Sequence, residues 1–175
     1  MSKLTMGTIA GLVYEDGVGY LGVAEIEMPS VDFETFQMKG LGLCGSAEYG
    51  ALAQFKPMKM KMKFTETGEE FYVLSDQRIH DLTIEVAKQD YNFQEGEIPV
   101  TGISYNMKFE PITRQGGTIA PATQQNVEVE GSVFALKEYI NGVLEQHIDV
   151  RNYIYIGHDG VDRAAPIRKA LKMPN

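Results

Sequence analysis

Apolar and polar residues alternate strictly along several stretches of this chain. The clearest is MKMKMKF at residues 58–64, in which three methionines and a phenylalanine alternate with three lysines. The same alternation recurs in TGISYNMKF (residues 101–109) and in NVEVEGSV (residues 126–133). A period of two residues places successive side chains on opposite faces of a β-strand. The pattern therefore predicts strands with one buried apolar face and one solvated polar face.

The polar row of the first stretch consists of Lys59, Lys61 and Lys63, and like charges so close on one face repel one another. We therefore expect acidic residues on adjacent strands to face them. The candidates are Asp32 with Glu34, and Glu128 with Glu130. Two alternatives are a solvated face whose edge lysines discourage aggregation and a basic strip that binds nucleic acid. The second is disfavoured, because that face carries no aromatic residue on which bases could stack.

Turn signals divide the rest of the chain into hairpins. EDG at residues 15–17, QEGE at residues 94–97 and the Asn141-Gly142 pair each lie between two strand-like stretches. Thr67 and Glu70 have the spacing of a capping box, which predicts a short helix beginning after Thr67. A second short helix is predicted to begin near Pro166.

Six to eight strands and two short helices predict a mainly β protein, an antiparallel β-sandwich or barrel. The chain has no internal repeat and no low-complexity linker, and 175 residues are enough to bury a core. We therefore expect residues 1–175 to form a single domain. The glycine-rich residues 40–50 are too many for a tight turn and predict an exposed loop or arm.

The charge balance restricts the classes of partner. Sixteen Lys and Arg against 24 Asp and Glu give a net charge of −8, which disfavours binding to duplex nucleic acid or anionic membrane. Residues 151–175 are locally basic, with five cations against two anions, so this tail carries +3 and residues 1–150 carry −11. The basic tail either docks on an acidic neighbour, including another copy of the chain, or forms a solvated last helix.

The single cysteine, Cys44, excludes an internal disulfide and is consistent with a reducing compartment. The N-terminus lacks a long apolar core followed by a cleavage signal, and no stretch approaches the roughly 20 apolar residues of a membrane span. We therefore expect a soluble protein that folds in the cytoplasm and contacts no membrane.

No residue pattern indicates an active site. His80, His147 and His158 are scattered without metal-ligand spacing, and we expect each to be an ordinary surface or hydrogen-bonded histidine. Cys44 has no nearby histidine to activate it, and no Gly-Lys-Ser/Thr follows the glycines around it to form a phosphate loop. We therefore expect neither enzymatic activity nor a metal or cofactor.

Two segments resemble the major tail tube proteins of contractile-tailed bacteriophages. GVAEIEMPSVDFETFQMKGLGLCGSAEYG (residues 22–50) resembles the strand, proline, long strand and glycine-spaced loop of that family. GHDGVDRAAPIRKAL (residues 157–171) resembles its closing Asp-Gly-Val-Asp-Arg segment and short basic tail. The likeness covers most of the chain in the order of elements, while residues 66–98 match only in outline.

The resemblance implies a structural virion protein whose copies form hexameric rings, stacked into a hollow tube inside a contractile sheath. Two hairpins of each copy, residues 31–38 with 58–65 and residues 101–111 with 124–137, would join those of its neighbours in one β-barrel. The polar rows would then line a lumen through which DNA is ejected without sequence-specific binding. The lumen-facing residues would be Asp32, Glu34, Lys59, Lys61, Lys63, Ser104, Asn106, Lys108, Glu128, Glu130 and Ser132. The contacts between rings would include Gly40, Gly42, Cys44, Gly45, Glu48, Arg163, Arg168 and Lys169.

The partners that the resemblance implies are other copies of the chain, the tail sheath protein, the tape-measure protein, and the baseplate and tail terminator proteins. The location that it implies is the tail of a virion assembled in the host cytoplasm. Two other interpretations stay open. One is the tube of a phage-tail-like bacteriocin or injection machine that transfers no genome, and the other is a monomeric β-barrel that binds a small ligand in an apolar cavity.

Overall fold

The computed structural model describes residues 3–39, 44–92 and 96–173, and these form an antiparallel β-fold with two short helices. The strands are β1 (Lys3–Glu15), β2 (Gly19–Tyr20), β3 (Glu25–Glu27), β4 (Phe33–Met38), β5 (Ala47–Phe55), β6 (Met58–Phe64), β7 (His80–Asn92), β8 (Val100–Gln115), β9 (Val127–Ile140), β10 (Val143–Asp149) and β11 (Ile154–Ile156). The helices are α1 (Glu69–Ser75) and α2 (Ala165–Ala170). The predicted mainly β antiparallel class is confirmed, with more strands than the six to eight expected.

Nine strands form one sheet in the order β11-β10-β9-β8-β7-β1-β2, and β6 joins it by pairing with β9 on one side and β3 on the other. Strand β9 therefore has two partners along one edge, because β6 pairs with its first half and β10 with its second. The remaining strands, β4 and β5, form a separate two-stranded sheet.

The core lies on the apolar face of this sheet, which curls around it. Met58, Met60 and Met62 of β6 are buried and share one cluster with Leu82 and Ile84 of β7, two strands beyond β9 in the sheet order. Phe71 and Leu74 of α1 belong to the same cluster. The predicted inward direction of the methionine row is therefore confirmed, and burying such side chains contributes roughly 1.5–3 kcal/mol each to folding.

The predicted Asn-Gly hairpin is confirmed between β9 and β10. Asn141 and Gly142 both have positive φ angles, 48° and 81°, as a two-residue turn of this hand requires. The hairpin of β7 and β8 is also confirmed, and so is that of β1 and β2, although the latter contains only the pairs Tyr14–Tyr20 and Glu15–Gly19.

Helix α1 forms where it was predicted, but its cap differs from the predicted one. The N-cap residue is Gly68, with no side-chain cap, and the Thr67 hydroxyl instead donates a hydrogen bond to Gln125 Oε1 at 2.7 Å. The capping-box pattern assigned the Thr67 hydroxyl to the N-terminus of the helix, but this hydroxyl makes a tertiary hydrogen bond to the segment before β9. The second helix, α2, has its proline in the first turn as predicted.

Of the two predicted barrel hairpins, one is confirmed and one is wrong. Strand β8 pairs with β9 over most of its length, as expected. Strand β4, however, pairs with β5 and makes no pairing with β6. The reason is that residues 47–55 form the strand β5, which pairs antiparallel with β4. The sequence analysis had placed residues 47–50 in a glycine-rich loop or arm.

A buried charged cluster joins the end of β1 to the start of β7 and to α1. His80 is fully buried, with Nδ1 2.7 Å from Glu15 Oε1 and Nε2 3.0 Å from the carbonyl oxygen of Asp76. Arg78 donates to the same Glu15 oxygen at 2.8 Å. His80 is therefore a hydrogen-bonded histidine, which is one of the two roles that the sequence analysis expected for it.

Within the described ranges, neither helix is long and apolar enough to cross a membrane. In the same residues, no three His, Cys, Asp or Glu side chains converge in an arrangement that could hold a metal ion.

Gly131 in β9 is required by close packing against β8. A Cβ atom at this position would clash with the carbonyl oxygen of Glu110 and lie 2.6 Å from the Phe109 ring. We expect Gly131→Ala to lower the free energy of unfolding by about 2 kcal/mol, because both neighbours are fixed in the sheet and core. Urea denaturation measures this. Gly116→Ala is the control, since an added Cβ there meets nothing within 4 Å, and equal midpoints for the two variants would contradict the packing argument.

Candidate functional site

A ladder of ion pairs runs across the polar side of β3, β6 and β9. Lys59 Nζ lies 3.6 Å from Glu130 Oε1, and Lys61 Nζ lies 3.5 Å from Glu128 Oε1. Lys63 Nζ contacts Glu25 and Glu27, both at 2.9 Å. We call this surface the charged strip, and it consists of Lys59, Lys61, Lys63, Glu25, Glu27, Glu128 and Glu130.

Strand register explains the geometry of the charged strip. Lys61 lies directly opposite Glu130 and Lys63 directly opposite Glu128 across the β6–β9 pair. Lys59 and Lys61 make their ion pairs with glutamates in the diagonal positions, Glu130 and Glu128, which such long side chains can reach. Lys63 then turns to β3, where it lies opposite Glu25.

Electrostatics at the strip are strongest around Lys63. Its hydrogen bond and proximity to Glu27 lower the pKa of that carboxyl group, and the hydrogen bonds to Glu25 and Glu27 raise the pKa of Lys63 above its usual range. Three lysines face four glutamates, so the strip carries 3 − 4 = −1. The lysines are thus already neutralised by the protein itself.

The expectation that glutamates neutralise the three lysines is confirmed for Glu128 and Glu130. It is wrong for Asp32 and Glu34, because Glu34 is in the separate β4–β5 sheet and Asp32 accepts a hydrogen bond from Ser30 just before it. Sequence reasoning missed Glu25 and Glu27. The alternation of Glu25, Ile26 and Glu27, with Ile26 packed on the core, was the signal that identifies them.

A second polar surface lies on β7, β8, β9 and β10. Lys108 Nζ donates to Asp81 Oδ1 at 2.7 Å, and Ser104 Oγ donates to Glu85 Oε1 at 2.8 Å. Asp81, Glu85 and Lys108 line an open concavity of about 980 Å³, closed on one side by the β1–β2 turn, and Ser104 lies beside it. We call it the trough. Its polar lining residues are Tyr14, Glu15, Asp16, Asp81, Thr83, Glu85, Asn106, Lys108, Lys137, His147 and Asp149.

The trough and the charged strip belong to the same face of the sheet. Phe109 and Val133 are opposite each other and buried, so their neighbours Lys108 and Ser132 point to the other side. The Ser104, Asn106 and Lys108 row of the trough therefore continues through Ser132 into the strip. Within the trough, burial and then Lys137 lower the pKa of His147, which favours its neutral form.

The β4–β5 sheet projects as a two-faced arm, consisting of β4 and β5. Phe36 lies opposite Tyr49 and Met38 opposite Ala47, so these residues share one face. On the other face the Thr35 hydroxyl donates to Glu48 Oε1 at 2.6 Å. The large apolar side chains are exposed, with 65% of Phe36, 53% of Met38 and 52% of Tyr49 accessible to solvent.

Three aromatic rings attach the arm to the rest of the chain. The ring centroids of Phe33 and Phe55 lie 5.8 Å and 5.2 Å from that of Tyr155 in β11, and 5.2 Å from each other. Among the residues predicted to contact a neighbouring ring, Glu48 is in the arm, while Cys44 and Gly45 precede β5 and are exposed. Gly40 and Gly42 lie outside the described residues.

The basic residues near the C-terminus are largely engaged within the fold. Arg163 contacts the Asp159 carboxylate through two nitrogens, at 3.0 Å and 2.8 Å. Arg168 makes an ion pair with Asp162 at 2.7 Å and donates to the carbonyl oxygen of Tyr153. Lys169 is exposed and makes no ion pair with the described residues. The basic tail inferred from the sequence is therefore partly neutralised.

The two arginines lower the pKa values of the two aspartates. The hydrogen bond from Arg163 lowers the pKa of Asp159. Burial opposes ionisation of Asp162, but hydrogen bonds from Arg168 and from the backbone of Tyr155 and Ala164 outweigh it and lower its pKa. These pairs fold the closing segment against β11.

Comparison with known protein families shows to which family this chain belongs. The sequence model of the family described as phage tail tube protein FII matches residues 10–171. The chain belongs to the phage tail tube protein FII family. This confirms the resemblance to tail tube proteins, and the family is a structural one. No curated protein sequence matches the chain.

Solved structures with the same fold come from contractile injection systems. One is the sheath/tube terminator of the extracellular contractile injection system PVC in the extended state, with 11% identity and a TM-score of 0.52 over 74% of this chain and 92% of that one. The PVC sheath-tube complex has 13% identity and a TM-score of 0.52, over 74% and 87%. The anti-feeding prophage baseplate, 6-fold symmetrised, has 11% identity and a TM-score of 0.50, over 77% and 97%.

We expect Arg168→Gln to weaken the attachment of α2 to the rest of this tail tube protein, because the substitution removes the ion pair with Asp162 and the hydrogen bond to the carbonyl oxygen of Tyr153. The amides of α2 should exchange with solvent at least about tenfold faster. Hydrogen exchange followed by mass spectrometry measures this. Lys169→Gln is the matched control and should leave the rates unchanged.

The same contact should depend on pH. Because the pKa of Asp162 is lowered in the folded chain, the stabilisation is present above the ordinary aspartate value of about 4 and is lost as the pH falls through the lower folded value. The unsubstituted protein below pH 4 should therefore approach the exchange rates of Arg168→Gln. Identical exchange rates of the unsubstituted protein and Arg168→Gln at neutral pH would show that the pair does not hold α2.

Proposed function

We propose that copies of this chain form hexameric rings that stack helically into the inner tube of a contractile tail, a conduit for DNA ejection. The observation that carries the proposal is a sheet with one polar face and one long unprotected edge. The similar structures titled as a sheath-tube complex and as a 6-fold symmetrised baseplate support the same assembly.

The unprotected edge is the outer edge of β1. This strand pairs with β7 along one side, and on the other side its only partner among the described residues is the two-residue β2 at Tyr14 and Glu15. Residues 4–14, LTMGTIAGLVY, contain no charge. Monomeric proteins protect long edge strands with charges, prolines or covering elements. An uncharged open edge of this length supports closure of the sheet between copies, which removes the edge.

Strand β9 is paired along both edges within one copy, so the outer edge of β1 would close on β3 or β11 of the next copy. The wall of the resulting bore would then include β3 and β6 as well as the long strands β1, β7, β8 and β9.

We propose that the charged strip and the trough line this bore. Lys59, Lys61, Lys63 and Lys108 are engaged by glutamate or aspartate of the same chain, which leaves Lys137 as the one lysine of the two surfaces without an ion pair among the described residues. Tight Lys–phosphate contacts would retain the DNA, whereas a neutralised or acidic wall lets it slide. Asp32 and Glu34, also predicted to face the lumen, lie at the base of the arm and are better placed for contacts between copies.

We assign contacts between stacked rings to the arm and the closing segment. Cys44, Gly45 and Glu48 lie in or beside the arm, and Lys169 offers an exposed cation. Arg163 and Arg168 contribute through the fold of the closing segment, because their charges are already paired. Gly40 and Gly42 stay part of this proposal on family resemblance alone.

The partners follow from a tube inside a sheath. They are the tail sheath protein, the tape-measure protein, the baseplate proteins and the tail terminator, with DNA as the passing cargo and no membrane contact. The site of action is the tail of a virion assembled in the host cytoplasm. The similar structures of a sheath-tube complex and of a sheath/tube terminator support the first and last of these partners.

A second candidate is the tube of a bacteriocin or injection machine that transfers no genome. The similar structures of extracellular contractile injection systems favour it. Genes for a capsid beside the gene for this chain would distinguish the phage tail from such a machine. The monomeric ligand-binding barrel has less support, because its interior should be enclosed and apolar, whereas the trough is open and has charged as well as apolar residues in its lining.

Negative-stain electron microscopy of the concentrated protein tests assembly. We expect sixfold rings or hollow tubes, and we expect Ile9→Lys to abolish them, because a charge on the β1 edge opposes strand pairing between copies. Ile119→Lys, in the exposed loop before β9, is the matched control and should assemble. A monodisperse single chain at every concentration, or normal tubes from Ile9→Lys, would contradict closure through β1.

Charge reversal of Lys169 tests its place between rings. We expect Lys169→Glu to shorten the tubes while leaving the folded protomer and single rings intact, since the exposed lysine has no partner in its own described chain to lose. Analytical ultracentrifugation separates rings from stacks. The effect should be weaker at high salt, where surface charge is screened, and unaltered stacking at low salt would remove Lys169 from the interface.

A further inference from the structure

The buried charged cluster of Glu15, Arg78 and His80 plays no part in the proposed tube. Glu15 ends β1, His80 begins β7, and Arg78 lies in the short segment that connects α1 to β7. The side chains of Glu15 and His80 are 2% and 0% exposed, whereas Arg78 is half exposed. Ionisable groups this deeply buried are rare unless charges or hydrogen bonds satisfy them. The contacts inside the cluster therefore decide which of its groups carry protons.

Both ring nitrogens of His80 face acceptor oxygens. Nδ1 lies 2.7 Å from Glu15 Oε1, and Nε2 lies 3.0 Å from the carbonyl oxygen of Asp76. A carbonyl oxygen only accepts hydrogen bonds, so Nε2 carries a proton. An ionised carboxylate also only accepts, so Nδ1 carries a second proton when Glu15 is charged. A neutral imidazole has one N–H group and satisfies only one of these two oxygens.

The contacts of Arg78 favour the charged form of Glu15. The guanidinium donates to Glu15 Oε1 at 2.8 Å, and this is the same oxygen that His80 contacts. The other carboxylate oxygen, Oε2, is buried and has no hydrogen-bond partner among the described residues. The negative charge of Glu15 is therefore stabilised through one oxygen by two donors, and hydrogen bonds to the charged form favour that form.

The other neighbours of the His80 ring are an aromatic side chain and a helix end. The ring centroid of Phe109, on β8, lies 6.4 Å from that of His80. Asp76 is the C-cap residue of α1, and the dipole of a helix favours a cation at this end. Asp81, the next residue of β7, points to the opposite face of the sheet, where Asp16 also lines the trough. This environment is compatible with a positively charged ring.

We propose that His80 is a doubly protonated imidazolium in the folded protein at neutral pH, and that this charge joins the end of β1 to α1. When the ring loses one proton, one nitrogen turns a lone pair towards an oxygen. The ring then keeps its hydrogen bond to either Glu15 or Asp76 and gives up the other. The cluster is thus a pH-sensitive contact that opens as the pH rises.

The consequence of opening is local. The turn that closes one side of the trough begins directly after Glu15, and the amide of Val18 in this turn donates to the Glu15 carbonyl oxygen. Release of Glu15 from His80 therefore loosens this wall of the trough. The contact lies within one copy of the chain, so the inference does not depend on assembly into tubes.

NMR measures the protonation state of the ring directly. Magic-angle-spinning ¹H–¹⁵N correlations report both ring nitrogens in assembled or unassembled protein, and His147→Gln and His158→Gln identify the His80 signals by elimination. At pH 7.5 we expect two similar ¹⁵N shifts for His80, as in an imidazolium. Glu15→Gln should give the two widely separated shifts of a neutral ring, because the amide supplies no negative charge. Glu85→Gln removes a carboxylate on the opposite face of β7 and should leave the imidazolium pattern.

Urea denaturation provides a second measure. An unfolded histidine is largely neutral above its ordinary pKa of about 6.5, so unfolding between pH 7 and 8 should release one proton from His80. Stability falls with pH wherever the folded state binds more protons, so the unfolding equilibrium constant should rise about tenfold over this pH unit. His147→Gln is the control and should keep this rise, because burial lowers the pKa of His147 and its ring is already neutral in this range.

Two results would overturn the proposal. One is a neutral His80 ring in the unsubstituted protein at pH 7.5, which would place the shared proton on Glu15. The other is an unfolding constant that stays the same between pH 7 and 8. An imidazolium that persists in Glu15→Gln would remove Glu15 from the contact. None of these outcomes bears on the tube, which electron microscopy tests separately.

Discussion

The whole fold depends on the pairing of β9 with three other strands. Along one edge it follows β8, and along the other it passes from β6 to β10. Its apolar row packs in the core while its polar row carries Glu128, Glu130 and Ser132, so one strand supports the core, the charged strip and part of the trough. Gly131 lets it approach β8 closely at this crossing. A change in β9 therefore affects the core, the charged strip and the trough together.

Alternation made much of this predictable from sequence. The alternation of apolar and polar residues is a property of neighbouring positions, and it decides which side chains enter the core once a strand forms. The buried Met58, Met60 and Met62 illustrate this. The Asn141-Gly142 turn is equally local, because positive φ angles are required at both positions. The family resemblance rested on motif order, and the family model that matches residues 10–171 confirms it.

What escaped prediction depends on contacts between distant residues. Thr67 has the spacing of a helix cap, yet Gln125, 58 positions away, takes its hydroxyl. Glycines in residues 40–50 suggested an exposed loop or arm but gave no sign of the strand β5, which begins at Ala47 and pairs with β4. Counting charges suggested a free basic tail, but Asp159 and Asp162 neutralise two of its arginines. Composition gives the number of charges, and only the fold gives their partners.

The order of β3 and the arm along the chain has a mechanical consequence. Strand β3 ends at Glu27 and β4 begins at Phe33, so five residues (33 − 27 − 1) separate the charged strip from the arm. A pull on the arm is therefore transmitted almost directly to β3 and, through its hydrogen bonds to β6, to the polar wall. If the proposed tube is held together through its arms, axial load would fall first on the three residue pairs that join β3 to β6.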